Sequence, residues 1–125
     1  MKQILSSSKA PAAIAPYSQG VKCGSLYFFS GMLAIDPETG SLRGKTAAEQ
    51  TEQILKNIAA LLSDYGLAAD NVVKTTVFLT DLNNFAAVNE VYGTMFGKEP
   101  PARSCVEVSR LPKDALVEIE CIVAE

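Results

Sequence analysis

Histidine is absent from this chain of 125 residues. Its absence excludes Ser-His-Asp and Cys-His nucleophilic catalysis, and removes the commonest side-chain ligand for zinc, copper and iron. Cysteine is sparse. Cys23, Cys105 and Cys121 are odd in number and never fall into CxxC spacing. Zinc ribbons and a disulfide framework are therefore not expected, and a reducing cytosol suits the chain best. No run of Lys or Arg occurs, and 14 acidic residues against 11 basic ones leave a net charge of −3 and a pI near 5.0. A phosphate-backbone binder normally clusters positive charge on one surface, so nucleic acid is a poor default partner.

Long hydrophobic runs are missing too. The longest, Ile58 to Leu62, falls far short of the roughly 20 residues that a membrane span needs. The opening residues, Met1-Lys2-Gln3-Ile4-Leu5, run into serines rather than into the apolar stretch of a secretory signal. The expectation is a cytoplasmic protein with no membrane partner.

What is present is an ordinary globular composition, 48% hydrophobic and 20% charged. The length suits one domain over residues 1–125, able to bury about two-thirds of its unfolded surface. Only Ser6-Ser7-Ser8 has a composition that invites disorder.

Local patterns predict the elements in order. Val21–Cys23 and Leu26–Ser30 flank Gly24-Ser25 and read as a hairpin. Asp36-Pro37-Glu38-Thr39-Gly40 reads as a turn. Thr46-Ala47-Ala48-Glu49 has capping-box spacing, followed by Thr51, Ile54, Leu55, Ile58, Leu61, Leu62 and Tyr65 at helical intervals, with Gly66 as the stop. Val72 to Thr80 is rich in β-branched residues and predicts a strand buried largely on both faces. A second helix is predicted from about Asn84 to Phe96, ending at Gly97, with Phe85, Val88, Tyr92 and Met95 on its apolar face. Strands over 102–108 and 116–124 follow, joined through Leu111-Pro112-Lys113-Asp114. This order predicts an α+β fold, a mixed sheet with both helices on one face.

The last two strands carry the informative pattern. Ala102, Ser104, Val106 and Val108 alternate with Arg103, Cys105 and Glu107, while Val117, Ile119, Cys121 and Val123 alternate with Glu118 and Glu120. If the two strands pair and their apolar sets share the core, then Arg103, Cys105, Glu107, Glu118 and Glu120 share the other face. Cys105 would then face Glu118, and Arg103 would face Glu120. Alternation alone is also satisfied by a solvated face with an ordinary exposed Arg–Glu pair, which contributes little. Cys105 and Ile122 interrupt that face, as they would if another subunit covered it. An arginine offers a carboxylate two parallel donors, and a nearby glutamate can take a proton from water. Together they suit a small carboxylate with a reactive carbon and nitrogen beside it.

Longer motifs point further. Pro101-Ala102-Arg103-Ser104-Cys105-Val106-Glu107-Val108, Leu111-Pro112-Lys113-Asp114-Ala115 and Val117-Glu118-Ile119-Glu120 resemble the C-terminal signature of the RidA/YjgF family. Pro11 to Gly20 and Val73 to Leu79, with Asp81-Leu82 and Phe85, are similar to that family's N-terminal and central motifs. The resemblance covers nearly the whole chain in one register. It implies a chorismate-mutase-like α+β fold assembled as a homotrimer, with sites in the clefts between subunits. The implied reaction is hydrolysis of reactive 2-imino (2-enamino) acids to 2-oxo acids and ammonia, without cofactor or metal. Such imines are released by pyridoxal-phosphate enzymes such as serine and threonine dehydratases.

By the same resemblance, Arg103 would clamp the substrate carboxylate, with Cys105 contributing chiefly its backbone. Glu118 would hold the attacking water, and Tyr17 would reach in across the interface. Ser30, Gly31 and Asn89 would form further wall. Without the motif, Tyr17 reads as an ordinary half-buried tyrosine, Cys105 as a small hydrophobe, Ser30-Gly31 as a strand end and Asn89 as a surface helix residue. The chain has Ala15, Met32 and Ala34 where the family often has Gly, Gln and Pro, beside the implied pocket. A sensor that binds a 2-oxo acid without catalysis, and a ribonuclease or translation inhibitor, are the competing readings. The first needs Arg103 but not Glu118, and the acidic pI and missing histidine count against the second.

Overall fold

The computed structural model describes residues 1–125. Its elements are β1 (Gln3–Leu5), β2 (Gly20–Cys23), β3 (Leu26–Met32), α1 (Ala47–Asp64), β4 (Val72–Leu79), α2 (Phe85–Phe96), β5 (Ala102–Glu107) and β6 (Val117–Ala124). The strands form a mixed sheet in the order β1-β2-β3-β6-β4-β5, and α1 and α2 pack side by side on one face. The expected α+β architecture is what is found.

Helix α1 begins where its capping box predicts. Thr46 Oγ1 accepts from the Glu49 amide at 3.1 Å, and Glu49 Oε1 accepts from the Thr46 amide at 3.1 Å. It stops through Gly66, whose φ of 69° is open to glycine without strain, while Leu67 N–H closes back on Leu62 O at 2.9 Å. Ile54, Ile58, Leu61 and Leu62 are buried against the sheet as the periodicity requires. Helix α1 also buries a polar row that periodicity did not show: Gln50, Gln53 and Asn57. Asn57 Nδ2 donates to Ile35 O at 2.8 Å, and Gln50 Oε1 accepts from Leu116 N at 2.8 Å. These bonds fasten the loop after β3 and the start of β6 to the helix.

The structure corrects one expectation that matters for function. Strands β5 and β6 are not neighbours, because β4 lies between them. The β4–α2–β5 segment is a parallel crossover unit that puts β5 outside β4, at the sheet edge. The continuous apolar face of β6, with Val117, Ile119, Cys121 and Val123 all buried, suits a central strand antiparallel to β3 and β4. Through β4, Arg103 aligns with Thr75 and Cys121, and Cys105 with Val77 and Ile119. Arg103, Cys105 and Glu107 therefore lie on the helix-covered face. Glu118 and Glu120 align with Phe78 and Thr76 on the opposite face. The predicted facing pairs Cys105–Glu118 and Arg103–Glu120 do not exist.

Two smaller differences follow from contacts that local patterns cannot show. The serine run is ordered: Ser7 is buried, its amide donates to Gln19 Oε1 at 2.6 Å, and its hydroxyl donates to Asp64. Strand β4 is buried on its helix side only; its outer side chains are half-buried, and Val73 stands 45% exposed beside a register shift.

Candidate functional site

On the open face of the sheet, β3 bulges between Phe29 and Met32, opposite β6. Phe29 faces Cys121 and Met32 faces Ile119, so β3 carries one extra residue and Ser30 and Gly31 form the bulge. Ser30 N–H donates to Gln19 O at 2.9 Å and Ser30 Oγ donates to Ser18 O at 2.6 Å. Gln19 Nε2 in turn donates to Pro11 O at 2.6 Å and to Ser7 O at 3.1 Å, so one buried amide organises the whole loop that carries Tyr17. Tyr17 remains half exposed. Gly31 has a different reason to be glycine. A Cβ there would sit 2.7 Å from Glu118 Cδ, so the bare backbone is what lets the Glu118 side chain lie against β3.

Glu118 is half-buried, and burial pushes its carboxyl above the usual carboxylate range, with the charge of Glu120 adding to the effect. Tyr17, Ser30, Gly31 and Glu118 line one cavity of about 690 Å³, whose wall also includes Ile14 and Met32. Of the three departures from the family pattern, Ala15 and Met32 border this cavity, while Ala34 is fully buried.

Arg103 sits in a second group. Its Nη1 donates to Asn89 Oδ1 at 2.7 Å, and its guanidinium carbon lies 4.8 Å from the Tyr92 ring centre and 5.6 Å from that of Phe85. None of the ion pairs in the chain involves it. Phe85, Asn89 and Tyr92 are spaced i, i+4, i+7 and form one stripe of α2 over β5. That spacing was readable in the sequence, where Phe85 and Tyr92 are on the apolar face, but nothing local connected it with Arg103. The apolar face itself divides: Val88 and Tyr92 enter the core and Met95 packs against it half-buried, while Phe85 stays 41% exposed beside the arginine; Phe96, not on the expected face, is buried too.

Cys105 is half-buried beside Arg103. Burial raises its thiol pKa, opposed by the arginine's charge. Cys121, deeper in the core, is pushed up to about 12 by burial. Neither thiol has the lowered pKa of a nucleophile. The structure thus gathers Tyr17, Ser30, Gly31 and Glu118 at one place, and Arg103, Asn89 and Cys105 at another. A single chain does not bring both groups to one small molecule, because the sheet separates them. Gln19, Phe85 and Tyr92 are the supporting residues that sequence reasoning did not assign to the site.

Residues 7–125 match the family model described as endoribonuclease L-PSP. A RutC family protein of Pyrococcus abyssi is 50% identical over 121 residues, covering 97% of this chain and 95% of its own. The 2-iminobutanoate/2-iminopropanoate deaminase of Salmonella typhimurium is 47% identical over 125 residues, covering 98% and 97%. Among solved structures, Escherichia coli TdcF with bound serine superimposes with a TM-score of 0.92 at 43% identity, covering 98% of each chain.

Proposed function

The chain belongs to the RidA/YjgF family, whose model carries the endoribonuclease L-PSP description, and from that premise we propose that it hydrolyses small 2-imino acids to 2-oxo acids and ammonia. The observation that carries this reading is Arg103: a half-buried guanidinium, oriented by Asn89, with no carboxylate of its own chain to neutralise it. Such a group is ready for an anionic ligand, and a carboxylate fits its parallel donors.

The two separate residue groups support a site completed between copies. The outer face of the sheet leaves Leu26, Phe28 and Val106 between 38% and 43% exposed, on the same side as Glu118. Covering that face with neighbouring copies in a closed ring would remove it from water. A homotrimer places the Tyr17–Glu118 cavity of one subunit against the Arg103 group of the next, giving three equivalent clefts.

In each cleft Arg103 grips the carboxylate and presents the imine carbon toward Glu118. The Glu118 carboxylate, made more basic by burial, takes a proton from water as the oxygen bonds to that carbon. Glu118 passes that proton to the imine nitrogen, giving a neutral carbinolamine; the hydroxyl then gives up its own proton, relayed by Glu118 to the nitrogen, as the C–N bond breaks, so that ammonia leaves and the carbonyl of the 2-oxo acid forms. Tyr17, which lines the same cavity as Glu118, donates a hydrogen bond to the reacting centre in this reading. Because water attacks such imines unaided, positioning and local electrostatics suffice.

The test is a coupled assay. Added to a threonine dehydratase reaction, the protein should accelerate 2-oxobutanoate formation from the released imine, and no acceleration with any dehydratase-derived imine would refute the reading. Gly31→Ala sharpens it. The added methyl meets the end of a flexible side chain, so the fold should tolerate it with a near-native melting temperature, while the Glu118 carboxylate is displaced. Turnover should fall about 10²-fold, the typical effect of roughly 1 Å of misplacement. Native turnover in a folded Gly31→Ala protein would remove Glu118 from the chemistry.

A further inference from the structure

Arg103 is held by neutral groups alone. Its hydrogen-bond partner within the chain is the Asn89 carbonyl oxygen, and its other close neighbours are the Tyr92 and Phe85 rings. Glu107, the acidic residue of β5, lies on the same face of the strand. Its Oε1 accepts from the Leu82 backbone amide at 2.9 Å. An acidic partner would fix the guanidinium equally well, but it would also compete with any incoming anion. Neutral partners fix it and leave the whole charge for the ligand.

We propose that Tyr92, assisted by Phe85, is a positioning residue that sets the orientation of Arg103 for carboxylate capture. The inference rests on the reading of Arg103 as the anion site, and adds the device that holds it. Tyr92 is fixed at both ends. Its hydroxyl and the Thr75 hydroxyl are 2.6 Å apart in the core, and its ring packs on Phe96 with centroids 4.7 Å apart. Thr75 is the strand neighbour of Arg103 and is fully buried. The tyrosine is thus referenced to the same pair of strands that carries the arginine. Its ring face, negative in its quadrupole, stabilises the cation in a partly desolvated place without neutralising it. Loss of the ring lets the guanidinium swing among rotamers, and each binding event must then order it again.

The experiment is titration calorimetry with 2-oxobutanoate, paired with steady-state kinetics in the dehydratase-coupled assay. Phe85→Leu and Tyr92→Leu should each weaken binding about 5- to 30-fold, with KM rising in proportion and kcat within about twofold of wild type. Tyr92→Phe, which keeps the ring, should restore most of the affinity lost in Tyr92→Leu. In an Arg103→Lys background, Phe85→Leu should have a clearly smaller effect, since a lysine keeps the cation but not the planar fork that the ring orients. If Tyr92→Leu does not fold, Phe85→Leu and the Arg103→Lys pair still decide the matter. Wild-type binding by Phe85→Leu and Tyr92→Leu, while Arg103→Ala binds nothing, overturns the positioning role and leaves the anion site standing. A fall in kcat at unchanged KM overturns it too. Wild-type binding by Arg103→Ala removes the anion site itself.

Discussion

Arg103→Ala is expected to reduce 2-oxobutanoate formation in the dehydratase-coupled assay to the rate of the unassisted imine. Removing one partner of a desolvated charge pair typically costs about 2–5 kcal/mol, or roughly 30- to several-thousand-fold. The upper part of that range applies here for two reasons. No other cation lies among the groups described around Arg103, since its neighbours are an amide and two aromatic rings. Uncatalysed hydrolysis also sets a floor, so a large loss in the enzyme reads as complete loss of acceleration. Glu118→Gln separates catalysis from binding. It should keep 2-oxobutanoate affinity near wild type while turnover drops about 10²- to 10⁴-fold, the range for losing a general base. A protein that only senses 2-oxo acids would lose ligand with Arg103→Ala and be indifferent to Glu118→Gln. Full activity in Arg103→Ala would end the deaminase reading altogether.

How far the sequence discloses this molecule depends on the distance over which each cause acts. Helix α1 was legible because its causes are local: a capping box at Thr46 and Glu49, apolar residues at helical intervals, and Gly66 in a left-handed turn. The alternation of β5 and β6 is legible for the same reason; β6 buries the apolar set as read, but β5 is inverted, with Arg103 and Cys105 toward the helices and Ala102, Ser104 and Val106 exposed. What alternation cannot supply is the neighbour. Assuming that consecutive strands pair put Arg103 and Glu118 on one surface, whereas the parallel crossover through α2 moved β5 outside β4 and turned Arg103 toward the helices. Gly31 showed the same limit. It read as a strand end, and its reason lies on another strand, in the Glu118 side chain that occupies the space a Cβ would take. Gln19, Gln50 and Asn57 were invisible because a buried amide that bonds loop carbonyls carries no periodic mark. Strand β1, three residues long, was too short to show a period.

The corrected topology leads to the most discriminating expectation. Two inactive variants, Arg103→Ala and Glu118→Gln, should restore activity to one another when they are assembled together. Arg103 and Glu118 lie on opposite faces of one sheet, so a working cleft draws the guanidinium from one subunit and the carboxylate from its neighbour. In a ring built from a head-to-tail interface, every cleft has one contributor of each kind. In a trimer that mixes the two variants, whichever is in excess, one cleft of the three has both native sides, hence about a third of wild-type activity per site. Co-expression with two different tags and two-step purification would isolate the mixed oligomers for the coupled assay. Each homogeneous variant should stay at background. A site complete within one chain predicts background for the mixture as well, because no subunit then carries both residues. Recovery near a third also constrains the geometry more tightly than either single variant can. It requires that the Arg103 group of one subunit and the Glu118 cavity of its neighbour meet across the same interface.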